Sequence, residues 1–421
     1  MSRMRSFLRL ALWPAVIAGL ALLVRLVHLG RDDFWSDEVH TFDAVSLPPV
    51  DLMVERLTAG HQPLYFLALR SWSQLAGTSE FALRLPSALA GVLLLWPAYL
   101  LMRNLAGRSV ALWGTALLAF HPLLVELSRE ARMYPFLLLT VCVALASVTR
   151  SFRTGRPSIG FWTAMVVGPL LHPTWGLVIV PVTVWIAWET SIADPRRERP
   201  ARAARRSLLL GCALSLALLI AASFIAGRAD GELARRAWWE EGVVYLLRQV
   251  GGAGILRARV VIYCAALAAW AGTVWLGWRA VDARSRRFAA TLFVGVHLLM
   301  ALCALTIGVV WGPVRYVHVS TLPVAFVAGA AIVAAHRQDR SLGHALALGL
   351  FGLTGLLLAL RFVPSRMQWS DAAAEVVEQA LPTARAAALE RAPDAGARVV
   401  LHHYLEHPRV APSAPSVSDP R

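Results

Sequence analysis

Long apolar runs separated by short polar connections make up most of the chain. Residues 85–101, 208–225 and 342–360 are typical, and each is close to the roughly 20 residues that a helix needs to cross a bilayer. The apolar segment 63–76 is shorter and contains Arg70, which favours an interfacial or re-entrant helix. Hydropathy predicts about eleven spans, near residues 8–29, 82–102, 109–125, 133–149, 158–172, 174–189, 207–226, 259–278, 288–311, 317–335 and 342–361. An all-α polytopic membrane protein is therefore predicted.

Composition supports this pattern. Hydrophobic residues make up 57% of the chain and charged residues only 16%, whereas soluble proteins carry about 25% charged residues. A water-soluble globule is therefore excluded. All 41 basic residues are Arg, and the net charge is +15. A nucleic-acid binder would gather such charge on one soluble face. Here the Arg residues are spread between apolar runs, so no nucleic-acid partner is expected.

The distribution of Arg between alternate connections predicts the orientation of the chain. With a cytoplasmic N-terminus, the inner connections hold 20 Arg and five acidic residues, while the outer segments hold 20 Arg and 21 acidic residues. The remaining Arg25 lies in the first span. The excess positive charge then faces the cytoplasm, as the positive-inside rule requires. The polar turns that are poorer in Arg all fall on the outer side, where we expect the active surface.

Domain organisation follows from the same pattern. Residues 1–362 are predicted to form the transmembrane domain, with extracytoplasmic loops at 31–80, which includes juxtamembrane helices, and at 227–257. Residues 363–421 form a short extracytoplasmic tail, in which 369–381 favours a short helix and 398–401 a strand. His402, His403 and His407 precede a Pro-rich end, which is typical of a flexible terminus. A signal peptide is rejected because the first apolar run is long and an acidic loop follows it.

The loop after the first span holds the strongest chemical signal. Seven of the 26 acidic residues lie between residues 31 and 61, and most are interpreted as solvated surface charge. Asp37 and Glu38 differ because Phe34 and Trp35, aromatics suited to the membrane interface, come just before them. Ser36 can cap a helix that begins at Asp37. A partly desolvated carboxylate at the membrane surface can act as a general base on an attacking hydroxyl.

Five short motifs carry a resemblance to a known family. They are Trp-Ser-Asp-Glu at 35–38, His-Gln-Pro-Leu-Tyr-Phe at 61–66, Glu-Phe-Ala-Leu-Arg-Leu-Pro-Ser at 80–87, Arg-Glu-Ala-Arg-Met-Tyr at 129–134, and Arg-Tyr at 315–316. In this order they resemble the GT-C membrane glycosyltransferases of the dolichyl-phosphate-mannose protein mannosyltransferase and aminoarabinose transferase type. The resemblance covers about residues 5–370. Many members of that family carry a sizeable soluble domain after the last span, where this chain has only a short tail.

The resemblance implies transfer of a monosaccharide, with inversion, from a polyprenyl-phosphate carrier to a hydroxyl acceptor on the outer face. The acceptor class stays open between protein, lipid and glycan. Asp37 takes the role of the base, and Glu38 orients the acceptor or a metal. The absence of Lys and the wealth of Arg and Ala indicate a GC-rich bacterial genome. The expected location is therefore the bacterial inner membrane, with membrane lipids as further partners.

The leaving group in such a reaction is a lipid phosphate, whose oxygens suit the planar fork of Arg. A snorkelling or structural role is the alternative for each Arg taken singly. The predicted substrate-binding and lipid-phosphate-binding residues are His61, Arg129, Glu130, Arg132, Tyr134, Arg315 and Tyr316. A divalent metal ion (Mg, Mn or Zn) is left open, and its candidate ligands are Glu38, His61, Glu130 and His172.

Two other functional classes compete with a transferase. A transporter or flippase of lipid-linked sugars would favour inverted repeats and charged residues near the middle of the bilayer, and the sequence has neither pattern. A non-catalytic receptor or scaffold gives no reason for several separated polar turns to meet on one face. The sequence therefore favours the transferase and keeps the transporter as the alternative.

Overall fold

The computed structural model of the chain describes residues 2–193, 198–225, 259–307, 314–361 and 395–406. Every regular element in these ranges is helical, so the all-α prediction is confirmed for them. The loop 227–257 and the predicted helix 369–381 lie outside the described residues. The α-helices are α1 (Ser2–Leu26), α2 (Ser36–Ser46), α3 (Pro49–Thr58), α4 (Leu64–Ala76), α5 (Glu80–Leu93), α6 (Leu95–Ala106), α7 (Arg108–Ala119), α8 (Pro122–Ser128), α9 (Tyr134–Thr154), α10 (Ile159–Leu171), α11 (Gly176–Ile192), α12 (Arg199–Ile225), α13 (Arg259–Ala280), α14 (Ala283–Ile307), α15 (Thr321–Gln338), α16 (Arg340–Arg361) and α17 (Ala395–Glu406). Short 3₁₀ turns lie at Pro173–Trp175, Val314–Tyr316 and His318–Ser320.

Each of the eleven segments predicted to span the membrane overlaps a helix. Within the described residues, seven helices are long and apolar enough to cross a bilayer, or eight if the bent pair α7 and α8 is one span. Two further apolar helical segments, Pro14–Leu26 within α1 and Ile159–Leu171, are shorter. These helices make the chain an integral membrane protein. The count of eleven spans and the orientation of the termini stay predictions.

The bend between α7 and α8 measures 58° and has a local cause. Pro122 is the first residue of α8, and its nitrogen carries no hydrogen to donate to the preceding turn. The N–H of His121 instead donates to the carbonyl of Leu118 at 3.3 Å. The helix therefore breaks here, and α8 leads directly into the polar turn at 129–133.

The helix α15 lies at the centre of the bundle. In the span His318–Gln338, 89% of the most apolar stretch is buried inside the protein, whereas only 28% is buried in the span Ala283–Cys303. Its close approach to α7 depends on glycine, because a Cβ at Gly329 would lie 2.6 Å from the backbone nitrogen of Gly114. Small residues let membrane helices pack at short distance in this way. The N-terminal end of α15 follows the turn that carries Arg315.

The acidic loop after α1 folds into the three short helices α2, α3 and α4. The helix α2 begins at Ser36, with Trp35 in the N-cap position, one residue earlier than the predicted cap. Asp37 and Glu38 therefore occupy its first turn, where the partial positive charge of the helix end favours carboxylates. The predicted interfacial segment is present as α4, which is 13 residues long.

The C-terminal helix α17 corrects two expectations about the tail. Residues 398–401, predicted to be a strand, lie inside α17. His402 and His403 also belong to this helix rather than to a flexible terminus, while His407 lies outside the described residues. Val400 and Leu401 are buried, because α17 packs against α2. The sequence of this segment favours a helix only weakly, and burial of its apolar face stabilises the helix.

Candidate functional site

A buried ion pair fixes the start of α2. Arg84 of α5 donates to both carboxylate oxygens of Glu38, through Nε at 2.8 Å and Nη2 at 2.7 Å. Glu38 is 0% exposed. The same guanidinium donates to the backbone carbonyls of Leu29, Asp32 and Asp33 at 2.7 to 3.0 Å. A buried charge pair is stable only when its remaining hydrogen-bonding groups are satisfied, and these carbonyls satisfy the guanidinium.

Glu38 also joins the first loop to the turn after α8. Its Oε1 accepts a hydrogen bond from the backbone N–H of Ala131 at 2.8 Å. The carboxylate is therefore fully occupied by protein groups and does not reach the pocket described below. The sequence predicts that Glu38 orients an acceptor or a metal, whereas the structure places its carboxylate against Arg84 and the N–H of Ala131. Glu38 instead holds together the two backbone segments that carry Asp37 and Arg132, the start of α2 and the turn after α8.

Asp37 points the other way, into a cluster of arginines. Its Oδ2 lies 2.7 Å from Nη1 of Arg315 and 3.7 Å from Nη2 of Arg132. The carboxylate is 25% exposed, so it is open to a ligand. Three segments far apart in sequence, the first loop, the turn after α8 and the turn before α15, thus meet at one carboxylate.

The two arginines are held by different means. The Nη1 of Arg132 donates to the backbone carbonyl of Asp37 at 3.0 Å and to Oγ1 of Thr41 at 3.2 Å. Arg315 lies over the ring of Trp35, with its guanidinium carbon 5.1 Å from the ring centre. Stacking on an aromatic face restrains a guanidinium. Its N–H groups, which lie in the plane of the guanidinium, can still bind oxygen atoms.

A pocket of about 390 Å³ opens at this cluster. Its size lies within the range of small-molecule sites. It combines three guanidinium groups with two carboxylates, one of which, Glu55, is paired with its neighbour Arg56. The pocket is lined by Asp37, His40, Glu55, Arg56, Ala59, His61, Arg132, Arg315 and Tyr316. Such a surface suits a ligand that carries both an anionic group and hydroxyls.

His61 lies in the wall of this pocket, 6.2 Å from the ring of Phe66. Burial, together with the positive charges of Arg132 and Arg56, lowers the pKa of its imidazole from 6.5 to about 4. The ring is therefore neutral at physiological pH. A neutral imidazole can donate one hydrogen bond and accept another, so His61 is suited to contact hydroxyl groups of a ligand.

Aromatic side chains form a layer beneath the arginines. Tyr134 is 1% exposed and lies about 6 Å from the guanidinium carbons of both Arg132 and Arg315. His172 is also buried, with its ring centre 5.6 Å from those of Tyr134 and Tyr316. Its Nδ1 accepts from the N–H of Thr174 at 3.1 Å. His172 therefore supports the turn Pro173–Trp175 and does not line the pocket.

Arg129, which the sequence predicts as a phosphate ligand, does not line the pocket. Its guanidinium donates to the backbone carbonyls of Arg25 and Val27 at 2.9 and 2.6 Å. It also reaches His28, where the carbonyl accepts at 3.2 Å. These carbonyls belong to the end of α1, which has no further helical turn to satisfy them. Glu130 is buried at 9% exposure and likewise does not line the pocket.

The predicted metal ligands do not form a metal site. Among the residues that the structure describes, no three His, Cys, Asp or Glu side chains come together as ligands. Glu38 is engaged by Arg84 and the Ala131 N–H, and His172 is engaged by Thr174. A divalent ion needs several oxygen or nitrogen ligands around one point, and two of the four candidates, Glu38 and His172, are engaged by other protein groups.

Sequence reasoning missed four contributors to the site, one of which is the pocket carboxylate Glu55. Arg84 lies within the third motif, and its position in an otherwise apolar helix was a usable signal, because an intramembrane arginine requires a partner. His40 and Arg56 line the pocket, one turn after Asp37 and near the end of α3. Their sequence neighbourhood is an ordinary polar loop, and only the folding of that loop brings them to the pocket.

Solved structures share this architecture. ArnT from Cupriavidus metallidurans bound to undecaprenyl phosphate is similar with a TM-score of 0.57 at 15% identity, over 94% of this chain and 85% of that chain. AglB, the archaeal oligosaccharyltransferase from Archaeoglobus fulgidus, in complex with an inhibitory peptide and a dolichol-phosphate, is similar with a TM-score of 0.55 at 12% identity. That match covers 97% of this chain and 61% of AglB. This chain has the GT-C glycosyltransferase fold.

A family model agrees with the GT-C assignment. The model described as dolichyl-phosphate-mannose-protein mannosyltransferase matches residues 60–225. That range contains three of the five motifs, and the resemblance predicted from the sequence is confirmed. The Archaeoglobus fulgidus oligosaccharyltransferase complex with Zn and sulfate is also similar, with a TM-score of 0.51 at 13% identity, over 96% of this chain and 58% of that chain. No curated protein matches the chain.

Proposed function

We propose that this GT-C chain is an inverting glycosyltransferase that moves a monosaccharide from a polyprenyl-phosphate carrier to an acceptor hydroxyl. The observation that carries the proposal is the Asp37 carboxylate set between Arg132 and Arg315 at the pocket. A base beside a paired cationic site is the combination that displacement of a phosphate leaving group requires. The mannosyltransferase-type family model and the lipid-phosphate complexes of ArnT and AglB support the same class.

Asp37 takes the proton of the acceptor hydroxyl in the proposed reaction. The acceptor oxygen forms a bond to the anomeric carbon while the bond from that carbon to the phosphate oxygen breaks. The electron pair of the broken bond goes to the phosphate, and the configuration at the anomeric carbon inverts because attack is in line. Asp37 suits this role because its carboxylate is partly exposed at the pocket, whereas that of Glu38 is buried and paired.

Arg132 and Arg315 stabilise the leaving group. The carrier phosphate gains negative charge when the sugar departs, and N–H donors already oriented toward it lower the barrier. Arg132 is anchored through Thr41 and the backbone of Asp37, and Arg315 through Trp35. Their geometry is therefore set before the substrate arrives. His61 and Tyr316 are assigned to the sugar and the phosphate respectively, from their places in the pocket wall.

The acceptor is assigned as a hydroxyl of a protein, a lipid or a glycan, and the active face as extracytoplasmic in a bacterial inner membrane. The excess of Arg in the opposite connections supports this orientation. The first loop, the turn after α8, the break at His172 and the turn before α15 come together in the structure, which supports an active surface at one end of the bundle. No step of the mechanism is routed through a metal ion, since the described residues form no set of ligands.

The test is transfer from a panel of radiolabelled polyprenyl-phosphate monosaccharides by the purified chain in detergent, with and without EDTA. We expect transfer from one donor, unchanged by EDTA and lost in Asp37→Asn. The matched control is Asp51→Asn, which alters an exposed carboxylate of the same loop and should keep the wild-type rate. A folded wild-type protein that transfers no sugar from any donor would contradict the proposal and favour a transporter. Full activity in Asp37→Asn would remove Asp37 as the base.

A further inference from the structure

The C-terminal helix α17 packs against the segment that leads into α2. Its Val400 and Leu401 side chains are buried at 4% and 2% exposure. The ring of His403 contacts Phe34 and Phe42 edge-on, with ring centres 5.8 and 4.7 Å apart. A helix of 12 residues is marginal in water by itself, so these contacts stabilise α17.

One residue of α17 makes a directed bond to the backbone of that segment. The hydroxyl of Tyr404 accepts a hydrogen bond from the N–H of Phe34 at 2.7 Å and donates one to Oε1 of Glu80 at 2.8 Å. Because the hydroxyl hydrogen of Tyr404 points to Glu80, a lone pair of the Tyr404 oxygen faces the N–H of Phe34. Tyr404 is 1% exposed, and burial raises the pKa of its hydroxyl, so it remains a protonated donor.

The backbone that Tyr404 binds is also held by Arg84 of α5. The guanidinium of Arg84 lies over the ring of Phe34, 5.3 Å from its centre, and donates to the carbonyl of Asp33 at 2.9 Å. Residues 33 and 34 are thus fixed between α5 and α17. Asp37 follows within one helical turn, so a shift of this entry point moves its carboxylate relative to Arg315.

We propose that Tyr404 is a positioning residue for the transfer reaction, because its hydroxyl fixes the Phe34 backbone and thereby the start of the helix that carries Asp37. The inference rests on the proposed function in taking Asp37 as the base. It assigns the short C-terminal helix to the scaffold of the active site. Tyr404 does not line the pocket and acts only through the segment 34–37.

The principal variant is Tyr404→Phe in the full chain, which removes the hydroxyl and keeps the ring. We expect kcat to fall about 10-fold or more, because misplacement of a reacting group by about 1 Å can cost as much as 100-fold. The KM for the donor should stay within about twofold, since Arg132 and Arg315 are untouched. The matched control is His402→Ala on the exposed face of the same helix, where the side chain is 51% exposed, and it should keep the wild-type kcat.

A double-mutant cycle separates positioning from simple loss of packing. Glu80→Gln keeps an oxygen that can accept from Tyr404 and should retain most of the activity. Glu80→Leu removes that acceptor and should lower kcat in the same direction as Tyr404→Phe. The kcat of the double variant Tyr404→Phe with Glu80→Leu should be no lower than that of the less active single variant, because both changes break the same hydrogen-bonded arrangement. Additive losses, or a change in KM with kcat unchanged, would contradict the proposal.

Amide hydrogen exchange gives a readout that does not depend on activity. In Tyr404→Phe, exchange at residues 34–38 should be at least about fivefold faster than in the wild type, with the span His318–Gln338 unchanged. If the wild type transfers sugar and Tyr404→Phe has the same kcat, the positioning role is overturned and the proposed function stands. If the wild type transfers no sugar, the proposed function fails. Unchanged exchange at residues 34–38 would overturn the role of Tyr404 in either case.

Discussion

Arg84 and Glu38 form a two-point ion pair in which the side chains are 4% and 0% exposed. The pair joins α5 to the first turn of α2 and decides which of two adjacent carboxylates faces the pocket. Successive residues of a helix point about 100° apart. When Glu38 turns inward to meet Arg84, Asp37 is therefore directed toward Arg315. The two acids of the Trp-Ser-Asp-Glu motif thus have different surroundings despite being neighbours.

Loss of Glu38 should destabilise the protein as a whole. Glu38→Ala leaves Arg84 buried without its counter-charge, and removal of one partner of a buried pair costs about 3–5 kcal/mol. Thermal unfolding in detergent should show a clear fall of the midpoint, while Asp51→Ala, an exposed site in the same loop, should leave it unchanged. A second change, Arg84→Met, added to Glu38→Ala should restore part of the loss. Equal midpoints for Glu38→Ala and Asp51→Ala would show that the pair is not structural.

Arg315 and Arg129 should respond differently to the same substitution. Arg315→Gln removes a guanidinium from the pocket, and loss of one donor to a developing anion typically costs about 100-fold in kcat. Arg129→Gln removes bonds to the carbonyls at the end of α1, so it should lower stability by about 1–3 kcal/mol and change kcat far less. The measurements are single-turnover transfer and thermal unfolding of both variants. Equal kcat values for the two variants would return Arg129 to the candidate phosphate ligands.

His61 should make stability depend on pH in a defined window. Burial lowers the pKa of its imidazole from 6.5 to about 4. Between these values the unfolded chain binds a proton at His61 that the folded chain does not, so the free energy of unfolding decreases as the pH falls. Above pH 6.5 the contribution is fully present. Thermal midpoints should therefore drop less on acidification in His61→Asn than in the wild type. His402→Asn, an exposed site on α17, serves as the control and should follow the wild-type curve.

Gly91 should not tolerate a methyl group. A Cβ at this position would lie 2.2 Å from Oγ of Ser128 and 2.9 Å from Nε of Arg25. Both neighbours are buried, so the clash cannot be relieved into solvent. Gly91→Ala should therefore destabilise by about 1–3 kcal/mol, as overpacking of a core does. Gly349→Ala places the same methyl group where no atom lies within 4 Å, and helix propensity makes it neutral or slightly stabilising. Indistinguishable unfolding midpoints for the two variants would show that the contact at Gly91 is not tight.

Local sequence was sufficient for the apolar helices, but it failed for residues 398–401 of α17 and for the contacts between helices. Pro122 marks the bend between α7 and α8 because a missing N–H is a property of one residue. Arg129 and Arg132, in contrast, lie in one motif at apparently equivalent places. One binds the end of α1 and the other binds Asp37, because the turn after α8 presents them to different neighbours. Nothing in the motif itself separates the two roles.

The sequence by itself determined the apolar segments, their order, the acidic first loop and the motifs that mark the GT-C fold. The apolar segments follow from transfer energies added over neighbouring residues, and the loop and motifs are local patterns. Both can be read directly along the chain. Only the tertiary structure decided that Asp37 faces the pocket, that Glu38 forms an ion pair with Arg84, and that α17 packs against the start of α2. The residues of the ion pair are 46 positions apart, and Tyr404 and Phe34 are 370 apart. The energy of such contacts depends on which surfaces the folded helices bring together, and no local pattern contains that information.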